Sequence, residues 1–371
     1  MKKLAATIFF DAFALMLLGL IIVMSASSTY SSFRFDDLFH LFNSHVFKVV
    51  VGIGLMILFC FIPYEVYKEY SKPALIVITV ILFLTLFIAP EIKGAGRRID
   101  LGPLSFQPSD AAKLFLMIHL AALLEQKKDI LSNYKNGFLY LFFWVIVVAG
   151  LILIQPNVSN AVLLVIISLT MMYIGGARLK HIASSTFFSL LAGGSAAMIF
   201  PHSRGRILTF IESIQSGGDI NLQVKQALYS FGSGGVFGVG MGHSKQSNLF
   251  LPEAYGDFIF AIFGEELGFV GTVLLMLSFL VFFFAGILIA KKTKDQFGQL
   301  LAFGITFSII LYAFVNMAVA TGLFPTTGLP LPFISYGGTS LIFVCISVGI
   351  LVNIALSNNQ QAKNIMNEET V

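Results

Sequence analysis

The sequence predicts an all-α polytopic membrane protein of about ten transmembrane helices, with both termini cytoplasmic and a long outer loop between the seventh and eighth helices. Three observations carry this expectation. Lys and Arg number 23 and Asp and Glu 19, together 11% of 371 residues, against about 25% in an ordinary soluble domain. Hydrophobic residues make up 57%, with 39 Phe, which is the opposite of a disordered composition. The apolar residues fall in long uniform runs rather than the alternating pattern of an outer-membrane barrel strand. Two Cys are too few for a disulfide scaffold.

The runs lie near 8–26, 47–62, 74–89, 111–124, 138–154, 161–174, 182–200, 267–290, 298–320 and 338–356. Several are shorter than the roughly 20 residues a full span needs, so they are expected to extend into their flanks. The first has the look of a signal peptide, with Lys2 and Lys3 ahead of an apolar stretch and Ser25-Ala26-Ser27 behind it. A retained first helix is the favoured reading, because Asp11 interrupts the run and nine more spans follow. Cys60 and Cys345 sit on separate runs and read as apolar filler.

Orientation follows from the basic residues. With the N-terminus inside, 13 of the 23 face the cytoplasm, and every short loop on that side has at least two. Eight of the others cluster between Lys93 and Lys113 or between Arg204 and Lys245. Outer basic residues oppose the insertion bias, so these two segments need a local reason. The whole chain, 1–371, reads as one transmembrane unit with outer loops at about 90–110, 201–256 and 321–338 and a polar, fraying tail at 357–371.

The first outer segment holds Gly94, Gly96, Gly102, Pro103 and Pro108, which prevent a simple helix through it. A helix then begins at Pro108-Ser109-Asp110, with Asp110 and Lys113 on one face. A charge at that depth is a functional-site hypothesis, and an ion pair with the lysine snorkelling to the interface is the equal alternative. The second segment opens with His202-Ser203-Arg204-Gly205-Arg206 and continues through the glycine-dense 232–242. No Gly-Lys-Ser/Thr or G-x-G-x-x-G accompanies those glycines, so a flexible or tightly turning loop is expected there rather than a phosphate cradle. Asp257, Glu265 and Glu266 then precede 24 uncharged residues, 267–290. Helical spacing would place Asp257 and Glu265 near one stripe facing the bundle interior, where acids mark ion, proton or substrate sites. Helix capping and buried hydrogen bonding are the plainer alternative.

No Asp, Glu, Lys, Arg or His occurs in 296–362, and within it 321–338 carries three Pro and four Gly. Irregular backbone at membrane depth survives only when buried in protein or lining a cavity. The six His show no metal-ligand spacing, and the basic residues are too dispersed for nucleic acid.

Three runs, GAGRRIDLGPLSFQPSDAAK, LFLPEAYGDFIFAIFGEELGFVG and GLFPTTGLPLPFISYGGTSL, together resemble the SEDS family (shape, elongation, division and sporulation), and its division branch more than its elongation branch. The resemblance spans nearly the whole chain. It implies a ten-helix peptidoglycan glycosyltransferase that polymerises lipid II at the outer face of a bacterial inner membrane. It also implies partnership with a class B penicillin-binding protein transpeptidase and other divisome membrane proteins, at the septum. Asp257 matches the family's essential aspartate. Arg97, Gln107, Pro108, Ser109 and Lys113 match its outer-loop motif, and Asp110 stands where Glu is usual. Arg98 replaces a usual Trp, and Asn157 replaces the acid of Q-P-D-L-G.

On this reading Asp257 is the catalytic base. Arg97, Gln107, Ser109, Asp110, Lys113, Arg204, Arg206 and Glu253 bind substrate, with Arg97, Lys113, Arg204 and Arg206 offsetting the leaving group's charge. The resident cofactor is none, or a divalent cation (Mg or Mn) bridging Asp257 and the pyrophosphate. A lipid II flippase, an elongation-type polymerase and a non-catalytic scaffold are the alternatives.

Overall fold

The computed structural model describes residues 1–88, 98–101, 104–216, 221–248 and 250–368. The chain opens with α1 (Lys2–Phe35), α2 (His40–Phe61), the short α3 (Tyr64–Glu69) and α4 (Ser71–Ile88). A hairpin, β1 (Ile99–Leu101) with β2 (Leu104–Phe106), pairs antiparallel with Ile99 opposite Phe106. It leads into α5 (Pro108–Gln126), α6 (Leu139–Ile154), α7 (Val158–Ile174) and α8 (Leu179–Ile199). Then come α9 (Pro201–Ser216), α10 (Leu222–Gly234), α11 (Ile259–Lys292), α12 (Gln296–Ala320) and α13 (Thr339–Glu368).

Among the described residues, eight helices are long and apolar enough to cross a membrane, namely α1, α2, α4, Tyr134–Ile154, α8, α11, α12 and α13. α7 is a shorter apolar helix, and α5 carries its charges within 19 residues. The protein is a multi-pass membrane protein. In hydrocarbon a helix satisfies its own backbone groups, so apolar runs of this length take no other form. The short runs do extend: 111–124 lies inside α5, and 47–62 is reached by a helix beginning at His40. α13 packs along α2 and α1, α12 along α11 and α5. The centre is α12 and α13, whose apolar windows are 67% and 78% buried, while α8 at 17% is peripheral.

The hairpin in the first outer segment is a small addition to an otherwise helical fold. The long connection at 201–256 contains α9 and α10. The tail from Ser357 does not fray at once, since α13 runs on to Glu368.

The glycine-dense stretch is a tightly packed turn. α11 breaks at Gly268, whose φ is 66°. The break frees two i→i−4 pairs of the helix, and the loop satisfies all four groups. Val239 N–H donates to Glu265 O (2.9 Å), and Gly240 N–H donates to Glu266 O (3.1 Å). In return Phe269 N–H and Val270 N–H donate to Gly235 O (2.9 Å) and Val236 O (3.1 Å). The two backbones approach so closely that a Cβ on Gly238 would lie 2.1 Å from Glu266 O. Glycine is required there by contact as well as by its φ of 81°.

Candidate active site

The segment 321–338 forms neither helix nor strand, as its prolines require. Its backbone is held by side chains and by the turn ahead of α11. Asn316, on α12 and 1% exposed, donates from Nδ2 to Asp257 O (2.8 Å) and to Leu329 O (2.7 Å). Ser335 Oγ donates to Gly256 O (2.7 Å) and accepts from Leu331 N–H (2.8 Å). Tyr336 N–H donates to Tyr255 O (2.9 Å). The prolines and glycines thus deny the segment regular pairing, and a local turn at Leu331–Ser335 and neighbouring elements supply its bonds.

This clamp builds one wall of a cavity of about 710 Å³. The hairpin, α9, the first turns of α5, α7 and α10, and Tyr312 of α12 contribute the rest. Among the residues singled out from sequence, Gln107, Asp110, Arg206, Glu253 and Asp257 all line it. Their convergence from segments 150 positions apart is a tertiary fact that no spacing along the chain expresses.

Asp257 sits just ahead of Phe258, the N-cap residue of α11. It therefore lies outside the helix, and the expected stripe with Glu265 does not form. Gly328, with φ 74°, crosses close beside it. A Cβ on Gly328 would lie 3.4 Å from Asp257 Oδ2 and 3.5 Å from Arg206 Nη1. The acid and the guanidinium therefore flank one point of backbone. Burial pushes the Arg206 guanidinium below its usual pKa, and the Asp257 carboxylate opposes that. Arginine remains charged throughout. Arg206 Nη1 also donates to Thr326 O (3.3 Å), which fixes it against the same loop. The N-terminus of α11 and Arg206 both favour negative charge at Asp257.

The motif at the start of α5 is a linked set. Gln107 N–H donates to Thr339 Oγ1 (2.9 Å), and Thr339 Oγ1 donates to Asp110 Oδ2 (3.3 Å). Gln107 Nε2 donates to Ser109 Oγ (3.0 Å). Ser109 is buried and supports Gln107 without lining the cavity. Lys113 lies behind Asp110, its Nζ 4.0 Å from the Tyr312 ring centroid. Tyr312 itself lines the cavity and donates from Oη to Asn160 Oδ1 (2.7 Å). Lys113 is thus placed to hold this wall, one layer away from the large cavity.

Among the described residues Ser109 and Lys113 stand behind the lining, and Arg204, which is exposed, does not join it. Arg97 lies outside the described residues. Glu265 and Glu266 serve the plainer role. Glu265 accepts from Ser233 Oγ (3.2 Å), Ser244 Oγ (2.5 Å), Lys245 N–H (3.0 Å) and Gln246 N–H (3.3 Å). Glu266 accepts from Gly242 N–H (3.1 Å) and from Ser25 Oγ. Among the described residues no three His, Cys, Asp or Glu side chains gather as a metal cage. A divalent ion here would draw its remaining ligands from substrate and water.

Other lining residues were not among the expected site residues. Arg98, noted only as a departure from a family Trp, lines the cavity and donates from Nε to Gln107 Oε1 (3.4 Å). Asn157, Tyr312 and Tyr336 also line it. A polar side chain in an apolar run was the available signal for Tyr312, and the irregular loop for Tyr336.

Known proteins resemble this chain in sequence and in fold. The family model of cell cycle proteins, FTSW_RODA_SPOVE, matches residues 5–360. A probable peptidoglycan glycosyltransferase FtsW of Geobacter sulfurreducens is 36% identical over 346 residues, covering 93% of each chain. The stage V sporulation protein E of Bacillus subtilis is 33% identical over 343 residues, covering 92% of this chain and 94% of its own. In fold, a chain of a peptidoglycan synthase complex that coordinates polymerization and crosslinking superposes with TM-score 0.77 over 95% of this chain and 98% of its own, at 23% identity. The rod shape determining protein RodA of Thermus thermophilus does so with TM-score 0.69 over 95% of this chain and 96% of its own, at 23% identity. On a family match that runs almost from end to end, the chain belongs to the FtsW/RodA/SpoVE family of cell cycle proteins, the SEDS proteins its three motifs resemble.

Proposed function

We propose that this protein is a peptidoglycan glycosyltransferase of the division type, polymerising lipid II at the outer face of a bacterial inner membrane. The observation that carries the proposal is the pairing of Asp257 with Arg206 across Gly328 in a cavity of about 710 Å³. The whole chain acts as one unit of ten spans, the eight long apolar helices with α5 and α7, both termini inside. The cavity then faces outward, where its substrate would be presented.

In the reaction, the 4-hydroxyl of a GlcNAc on one lipid II attacks C1 of the MurNAc on another. The new C1–O bond forms as the bond from C1 to the diphosphate oxygen breaks, with inversion at C1. Asp257 takes the hydroxyl proton as general base. Undecaprenyl diphosphate leaves with the electron pair, and Arg206 offsets the charge that develops on it, with Arg98 nearby on the cavity wall. Preplaced positive groups of this kind are usually the largest single contribution to such catalysis. Gln107 and Glu253 are placed to hydrogen-bond the sugars or peptide. A class B penicillin-binding protein and further division proteins are the partners expected in the membrane, at the septum.

The test is polymerisation of labelled lipid II by the purified protein, with and without its transpeptidase. Asp257→Asn keeps the shape and removes the base, so it should lose polymerisation by about a hundredfold or more. Full activity in Asp257→Asn would sink the assignment. Lipid translocation in vesicles without polymer formation would turn the reading toward transport.

A further inference from the structure

One buried cation is used by neither the site nor the insertion rule. Lys48 stands on α2 and is 4% exposed. Its Nζ donates to Tyr336 Oη (3.1 Å) and lies 4.1 Å from the centroid of the same ring. Ser44 Oγ, one turn earlier, is 3.3 Å from Tyr336 Oη. The ring of His45 lies 5.8 Å from that of Tyr336. Tyr255 packs edge-on against Tyr336 at 5.6 Å, and its carbonyl takes the Tyr336 N–H. Tyr336 is therefore held through its hydroxyl, ring and backbone, and it lines the large cavity beside Gly337, Gly338 and Thr339.

The arrangement is costly for mere packing. A buried ammonium is expensive unless paired, and among the described residues the ion pairs do not include Lys48. Its recorded partners are a phenol and an aromatic face, both belonging to one residue. Intramembrane cations of this kind mark functional sites. A cation against an aromatic ring is worth more where water is excluded.

We propose that Lys48 is a positioning residue that acts through Tyr336, holding that ring as the wall against which a pyranose of the substrate is seated. The chemistry fits the class. The C–H faces of a sugar ring pack on an aromatic face, and a tyrosine hydroxyl that accepts from an ammonium is polarised to donate its own proton to a ligand oxygen. Lys48 touches no substrate on this account. The inference rests on the glycosyltransferase reading above.

The experiment compares wild type, Lys48→Met, Lys48→Arg, Tyr336→Leu and the double variant Lys48→Met/Tyr336→Leu. Each is purified, its thermal midpoint in detergent is checked, and lipid II polymerisation is measured over a range of lipid II. Binding of lipid II is measured separately, without turnover. A seat for the ground-state sugar acts on KM and on binding more than on kcat. Lys48→Met should raise KM and weaken binding by roughly tenfold, the scale of one charge-assisted contact, with kcat within about twofold. Lys48→Arg should recover most of this. The double variant should be no worse than Tyr336→Leu, since both changes remove one coupled interaction. A fall in kcat or thermal midpoint with KM unchanged would make Lys48 merely structural, and multiplying effects would show that it acts apart from Tyr336. Either result overturns the proposal. If wild type binds lipid II but makes no polymer, the glycosyltransferase reading fails, while the binding comparison still decides whether Lys48 positions Tyr336 for a sugar.

Discussion

Asn316→Leu is the sharpest probe of the clamp that places Asp257. The Asn316 amide donates from Nδ2 to both Asp257 O and Leu329 O, at 2.8 and 2.7 Å. It therefore ties the turn carrying the base to the loop carrying Gly328. Leucine has the same branched heavy-atom skeleton with bulkier ends, so no cavity opens, but two buried carbonyls lose this donor. Each unsatisfied group costs about 1–3 kcal/mol. The pair should cost about 2–4 kcal/mol, because the loops relax to recover part of it. A loss of that size lowers the thermal midpoint by several degrees. Activity should fall further than stability implies. With the tie cut, Asp257 can drift relative to Arg206, and a displacement of about 1 Å at a catalytic group costs on the order of a hundredfold. The assay is polymerisation of labelled lipid II at saturating substrate beside thermal unfolding in the same detergent. Asn316→Asp is the companion, since it sets carboxylate oxygens against two carbonyls and should be worse than leucine in both measurements. If Asn316→Leu keeps kcat within twofold of wild type at an unchanged midpoint, the clamp does not position the base and this reasoning is wrong.

Other consequences are as direct. Arg206→Ala should lower kcat by roughly a hundredfold, and Arg206→Lys should recover only part, because a point charge replaces a planar fork; equal activity in alanine and wild type would remove Arg206 from the leaving-group role. Arg204→Ala, on an exposed side chain outside the cavity, should stay within about twofold in the same polymerisation assay. Glu265→Ala leaves two serine hydroxyls and two backbone N–H groups without their acceptor, and should destabilise by about 3 kcal/mol or more, with KM for lipid II unchanged in the protein that remains folded. Gly268→Ala would bring a Cβ to 2.3 Å from Gly238 N at a φ of 66°, so it should lower the thermal midpoint more than Glu265→Ala does.

Much of this architecture was open to reading from the chain alone. Apolar runs became membrane helices because a backbone in hydrocarbon must pair with itself, whatever its neighbours are. The irregular stretch 321–338 was legible for the same local reason, since three prolines cannot continue a helix. Asp257 stood out because acids are scarce beside 24 uncharged residues. Local rules failed where a side chain's partner is distant. Helical spacing joined Glu265 to Asp257, yet the helix starts after Asp257 and Glu265 binds the end of α10 and the turn beyond it, 19 to 32 positions away. Arg204 and Arg206 look alike in sequence, and the facing of α9 alone separates the exposed one from the one beside Asp257. Lys48 meets Tyr336 across 288 positions, and Asp110 meets Thr339 across 229. Local composition was enough to mark the apolar helices and the few charges kept near them. Only the packing of helices decided which of those charges face one cavity, because side-chain contact depends on the rotation and crossing of whole helices, and no periodicity within one segment encodes it.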